Sequence, residues 1–403
     1  MKKVFFYIIL SLPVFAFAQT QDQHFYTGLK QVKNKDIGNT IHNYGDTSKY
    51  DDHESAFNNN GVIKLKLADF GGAIADFNRA IELNPQFAES YNNRGNAKSG
   101  LGDTKGAIED YTKAIVLKPK YIEAYFNRAN AKSLLKDYNG AIADYTQAIL
   151  LNPRYVEALK NRGETKFQLE DYDGAIADYT KAIALYPQYA EAYCDRGETK
   201  NSLADYSGAI DDFTSAIFIN PAYTLAYNDR GVTKSILQDY RGSVKDLNKA
   251  VELSPGSYEE CFTRGITKSK MQDFKGAISD YTKTIELNPK YIDGYLWRGV
   301  AKMDLHNFSS AIDDFIKVAA LDPKNTYAFY FKAVSEDMLH NYSGAILDFD
   351  QAITLNPQYA DAYNSRGEAN YHRNDKNNAC ADWEKAIQLG CTLALDNIKK
   401  YCK

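Results

Sequence analysis

Residues 276–291 read GAISDYTKTIELNPKY, residues 242–257 read GSVKDLNKAVELSPGS, and residues 310–325 read SAIDDFIKVAALDPKN. The three stretches follow one another at a constant interval and carry their proline at the same place. The spacing continues in both directions. Pro85, Pro119, Pro153, Pro187, Pro221, Pro255, Pro289, Pro323 and Pro357 keep that interval without exception. A length of 403 residues would ordinarily suggest two or three globular domains, but a fixed period of this kind makes the chain an array of like units.

Each unit reads as two helices. In residues 88–101, Tyr91, Gly95 and Leu101 fall on one side at helical spacing, and in residues 106–117 Ile108, Tyr111, Ile115 and Leu117 do the same. Asp103 is placed to cap the second helix, and Gly106 eases the bend. Pro119 cannot continue that helix, so the chain must restart. Small residues at Gly95, Ala107 and Ala114 allow the two helices to approach closely. One hairpin cannot bury both of its apolar faces; stacked copies can.

On these residues the unit resembles the tetratricopeptide repeat, with Tyr91, Gly95, Ala107, Tyr111 and Pro119 at the places of that pattern. The resemblance implies an all-α fold, a right-handed α-solenoid superhelix of about ten repeats. Counting from the prolines places them at 54–87, 88–121, 122–155, 156–189, 190–223, 224–257, 258–291, 292–325, 326–359 and 360–393, so the array spans 54–393. Residues 394–403 are expected to form a capping helix that covers the last apolar face.

Two places depart from the family pattern. Arg94 stands where a leucine is usual, and Lys98 where an aromatic is usual. The arginine recurs as Arg128, Arg162, Arg196, Arg230, Arg264, Arg298 and Arg366, with Asn60 in the first unit and Lys332 in the ninth. At a constant distance after each of these places stands an aspartate, from Asp76 to Asp382. An antiparallel hairpin brings the two to one level, which predicts an ion pair between packed helices in nearly every unit, against the alternative of a solvated charged face.

The ends are read separately. Lys2 and Lys3, an apolar run interrupted by Pro13, and Ala16-Phe17-Ala18 compose a cleavable export signal over 1–18. The expectation is a periplasmic, secreted or cell-envelope-associated protein with no integral membrane segment after cleavage. Residues 19–53 lack the period and read as a flexible leader. His24, His42 and His53 lie there at spacings that match no compact ligand pattern, and His306 and His340 fall in loops one repeat apart, so no metal site is expected. Near the other end, Cys380 and Cys402 flank Cys391 at equal distances along the chain, and a helical hairpin would set them level. A Cys380–Cys402 disulfide is therefore expected, with Cys194 and Cys261 as packed thiols.

The net charge of −4 argues against a nucleic-acid partner. No phosphate loop, HExxH or nucleophile–histidine grouping is present, and neither an enzyme nor a cofactor is expected. The resemblance implies a concave groove lined by the first helices that holds a protein or peptide partner. Its candidate residues are Asn93, Asn127, Asn161, Asp195 and Asp229, a polar ladder suited to an extended backbone. Further along stand Phe262, Trp297, Tyr327, Tyr330 and Phe331. Glu89, Glu123, Glu157 and Glu191 make the first half mildly acidic, which rules out the family's clamp for a terminal carboxylate. The favoured reading is a non-enzymatic interaction scaffold. The alternatives are a structural component of a cell-envelope assembly and a glycan-binding module that uses the groove aromatics.

Overall fold

The computed structural model describes residues 54–402. The export signal and leader, with His24, His42 and His53, lie outside the described residues. Those described form 21 α-helices and no strand. Ten helix pairs follow one another, for example Ala88–Gly100 with Thr104–Leu117, and the helix Ala394–Tyr401 closes the series. The helices belong to two compact units divided in sequence between Asp171 and Tyr172. In the first, three pairs and the helix Val156–Gln168 pack each on the next. In the second, the helix Tyr172–Leu185 is followed by six pairs and the closing helix, again packed in order.

The small residues explain the closeness within a pair. Ala107 and Ala114 are fully covered, and a Cβ at Gly95 would lie 2.6 Å from the Tyr111 ring. The ring therefore occupies the space a side chain on the first helix would need. Leu101 does not join Tyr91 and Gly95 as the helical spacing suggested; it is 59% exposed. It is the C-cap residue, beyond the last full turn, and the chain there has already left the helical path.

The turn inside each pair satisfies its own backbone. The amide of Gly102 donates to the Ser99 carbonyl and that of Asp103 to the Lys98 carbonyl, which closes the helix end in the Schellman manner. Gly102 has φ +82°, yet the equivalent place holds Lys136, Ala204, His306 and His340 at φ near 60°. The two loop histidines are thus the left-handed residues of their turns. Asp103 then caps the second helix, its Oδ1 accepting from the Gly106 amide at 3.0 Å. A Cβ at Gly106 would sit 2.2 Å from the Asp103 carboxylate, so the glycine makes room for the cap. In the eighth repeat Ser310 replaces that glycine, and Asn307 makes no side-chain cap bond.

Between pairs, the residue before proline is extended (Asn84, φ −138°, ψ 92°), as proline requires. Its side-chain oxygen accepts from the Gln86 amide, and Asn152 and Asn220 repeat the arrangement. The closing helix lays Tyr401 on Tyr371, with centroids 4.2 Å apart, and beside Trp383. Cys380 and Cys402 are joined in a disulfide, their Cα atoms 5.7 Å apart. Cys194, Cys261 and Cys391 are buried free thiols; burial pushes the first two up from the ordinary cysteine value.

Candidate functional site

The recurrent arginine is the most elaborated polar feature, and its surroundings identify its work. Arg94 donates from Nε to Asp110 Oδ2 at 2.9 Å and from Nη2 to Oδ1 at 2.6 Å. The same fork joins Arg128 to Asp144, Arg196 to Asp212, Arg230 to Asp246, Arg264 to Asp280, Arg298 to Asp314 and Arg366 to Asp382. Lys332 takes the role toward Asp348. These carboxylates are covered: Asp246 is 4% exposed, so the solvated-face alternative does not describe them. The bond to Asp110 also pushes the Arg94 guanidinium up from its ordinary value.

The sequence reading passed over two further partners. Lys98 places Nζ 2.8 Å from Asp110 Oδ2, and Lys132, Lys200, Lys234, Lys268 and Lys302 do likewise, which explains why a lysine replaces the family's aromatic. In the first repeat, where Asn60 replaces the arginine, Lys64 holds Asp76 at 2.7 Å. The third arginine nitrogen reaches backward. Nη1 of Arg128 donates to Thr112 of the preceding repeat, as Arg230 does to Thr214 and Arg264 to Asn248. Each of the guanidinium groups of Arg94, Arg128, Arg196, Arg230, Arg264, Arg298 and Arg366 therefore ties its own hairpin together and fixes the hairpin before it. This is structural work, and it occupies the repeated carboxylates.

The exposed face of the first helices is a different surface. Residues spaced i, i+4, i+7 and i+11 share one side of a helix. In the eighth repeat these are Asp293, Trp297, Val300 and Asp304, and in the ninth Tyr327, Phe331, Val334 and Met338. Trp297 is 41% exposed, Tyr327 56% and Met338 50%. In the sixth repeat Leu225 and Ile236 are exposed at the same places, and Val232 lies between them. In the second to fourth repeats, which belong to the first unit up to Asp171, these places are polar at the middle of the face, with Asn93 and Asn96, Asn127 and Asn130, Asn161 and Glu164.

The candidate residues divide accordingly. Asn93, Asn127 and Asn161 are half-buried, and each directs an amide hydrogen at the preceding repeat, to Asn58, Asn92 and Asn130, at 3.0–3.1 Å. That ladder binds repeat to repeat, because consecutive first helices lie close enough for the carboxamides to meet. Asp195 is half-buried, and Asp229 accepts from the Asn228 amide at 3.2 Å. Phe262 packs against Tyr281 and edge-on to Tyr291, and Tyr330 against Tyr359 and Phe349. Burial pushes the Tyr281 hydroxyl up to about 12. Phe331 stacks between Phe315 and Tyr327. Trp297 and Tyr327 are the rings that stand out. The aliphatic lining and Met338 were missed, although the i+7 and i+11 spacing from Asp293 and Tyr327 was there to be counted.

Family models agree with the hairpin architecture. A family model described as the tetratricopeptide repeat matches residues 88–121, 122–155 and 156–189, and one described as the TPR repeat matches 64–102 and 340–375. Among solved structures the chain is similar to MamA, at 27% identity over 40% of this chain and 94% of that one, with a TM-score of 0.39. It is similar to YrrB, called a TPR protein with an unusual peptide-binding site, at 21% identity over 47% and 97%, TM-score 0.43. A tetratricopeptide repeat protein from Parabacteroides merdae matches at 18% identity over 62% and 99%, TM-score 0.47. No curated protein matches the chain.

Proposed function

We propose that this chain, which belongs to the tetratricopeptide-repeat family, is a non-enzymatic scaffold that holds a partner protein or an extended peptide on the exposed face of its first helices. The observation that carries this reading is the exposure of Trp297 and Tyr327 on consecutive first helices, with Phe331 stacked against Tyr327. Large rings left open together mark contact surfaces, and rings of this kind supply much of the energy where proteins meet. The occupied state of the repeated aspartates supports the non-enzymatic part, since their charge is already committed to arginine and lysine.

Panning the full chain against a displayed library of short random peptides tests this. Selected peptides are expected to bind, and the double variant Trp297→Ala/Tyr327→Ala to lose about tenfold or more in affinity. Binding that is unchanged in the double variant would remove this face from consideration. Retention on immobilised glycans that depends on Trp297, with no peptide selected, would favour the glycan reading. Export belongs to the same proposal, on the basis of Lys2, Lys3 and the apolar run that follows. An intact N-terminal Met1 on protein recovered from cells would oppose it.

A further inference from the structure

The face of repeats six to ten differs in charge from what its apolar lining alone would require. At the shared places of these first helices stand Asp229, Glu259, Asp293, Asp304, Asp361 and Glu368. Lys270 is the lysine or arginine found among them, with His372 in the last repeat. Glu259, Asp293, Asp304 and Asp361 are exposed, and Asp293 and Asp304 flank Trp297 on its own helix, one and two turns away. The pattern is an apolar strip between carboxylates.

Resting on the reading just given, we propose that the occupant of this strip is a peptide segment carrying apolar side chains interspersed with lysine or arginine. The apolar side chains cover Trp297, Tyr327 and Met338, and the cations meet Asp293, Asp304 and Glu259. Both halves of the surface require it. An uncharged apolar segment would cover the rings but leave carboxylates beside a dehydrated strip, where charge is costly without a partner. An acidic segment would meet like charge. Burial already pushes the Asp304 carboxyl up from its ordinary value, so a cation beside it would restore what desolvation removes. Neighbouring first helices are roughly 10 Å apart, and an extended chain rises about 3.3 Å per residue. One residue in three would therefore meet each repeat, and about 12 residues would cross repeats seven to ten.

The composition of the peptides selected by the full chain is the test. The expected result is enrichment of lysine and arginine together with leucine or aromatic residues. Affinity for a synthetic selected peptide, read by fluorescence anisotropy, is expected to fall about tenfold in Asp293→Asn/Asp304→Asn and again between roughly 25 and 300 mM salt. Both sites are exposed, so circular dichroism should confirm an unchanged fold. Peptides that are acidic or uncharged, yet still depend on Trp297, would overturn this inference and leave the scaffold reading standing. Selection of no peptide would overturn both.

Discussion

An arginine that reaches forward to its own hairpin and backward to the one before cannot be satisfied inside a single repeat. Arg230 shows the consequence at the level of one residue. Asp246 accepts from Arg230 and from Lys234, at 2.7 Å in each ion pair, while almost fully covered. Asp246→Asn would leave two cations with one neutral acceptor, and a loss of about 3–5 kcal/mol is expected in denaturant unfolding. Lys234→Met should cost far less, since Arg230 retains both carboxylate oxygens. Equal losses for the two variants would contradict the division of labour drawn here. Glu260 provides the pH counterpart. One of its carboxylate oxygens is buried with no hydrogen-bond partner, and burial pushes its pKa up. A raised folded value means that the protonated group contributes its stability at low pH and that this contribution is lost as pH rises through the folded value. Glu260→Gln should therefore stabilise at pH 7 and change little near pH 3, and the reverse order would refute the assignment. The arginine–aspartate pair was legible in the sequence because a constant spacing across a central turn has one geometric solution. The lysine was not, because a lysine at the end of a helix looks the same whether it is solvated or turned inward. Phe262 and Trp297 were likewise indistinguishable as letters; the ring at Tyr291 that covers Phe262 belongs to the following repeat boundary.

Helices here are delimited more by their ends than by their middles. Second helices such as those after Asp103, Asp239 and Asn341 start at a carboxylate or amide cap, Asn307 being the exception. First helices such as those after Tyr121 and Tyr223 start without a side-chain cap bond, Asn325 of the ninth repeat being the exception. Aspartate and proline thus divide the task, one starting a helix and the other preventing its extension. Asp239 accepts from the Gly242 amide at 2.9 Å. Asp239→Ala should lower stability by about 1 kcal/mol. The eighth repeat offers the converse, and Asn307→Asp with Ser310→Gly should build the missing cap for a net gain below about 1 kcal/mol, glycine's entropy cost being set against it. Differential scanning calorimetry on both variants checks the signs. Helix existence and order could be read from the period. The exposed Leu101 could not, because helical spacing continues on paper past the point where the backbone turns away.

For the molecule as a whole, repeat arrays gain stability from neighbour to neighbour, so their ends open first. The Cys380–Cys402 bond closes a loop of sequence separation 22 and clasps the last helix, which in the loop-entropy account is worth about 3 kcal/mol. Reduction should speed amide exchange in residues 394–401 while leaving residues 206–253 as protected as before. A uniform rise across the second unit would mean that the closing helix is not an independent lid. The backward reach of the arginines has one more consequence, for the gene rather than the fold. Excision of residues 224–257 would bring Arg264 to the distance from Thr214 that it now keeps from Asn248, an acceptor for an acceptor. A deletion from the same place that removes only part of a repeat would strand the guanidinium. Deletions of whole repeats should accordingly yield soluble, shorter proteins, and other lengths insoluble ones, so that the repeat number of such a chain can drift by recombination while its reading of each joint stays intact.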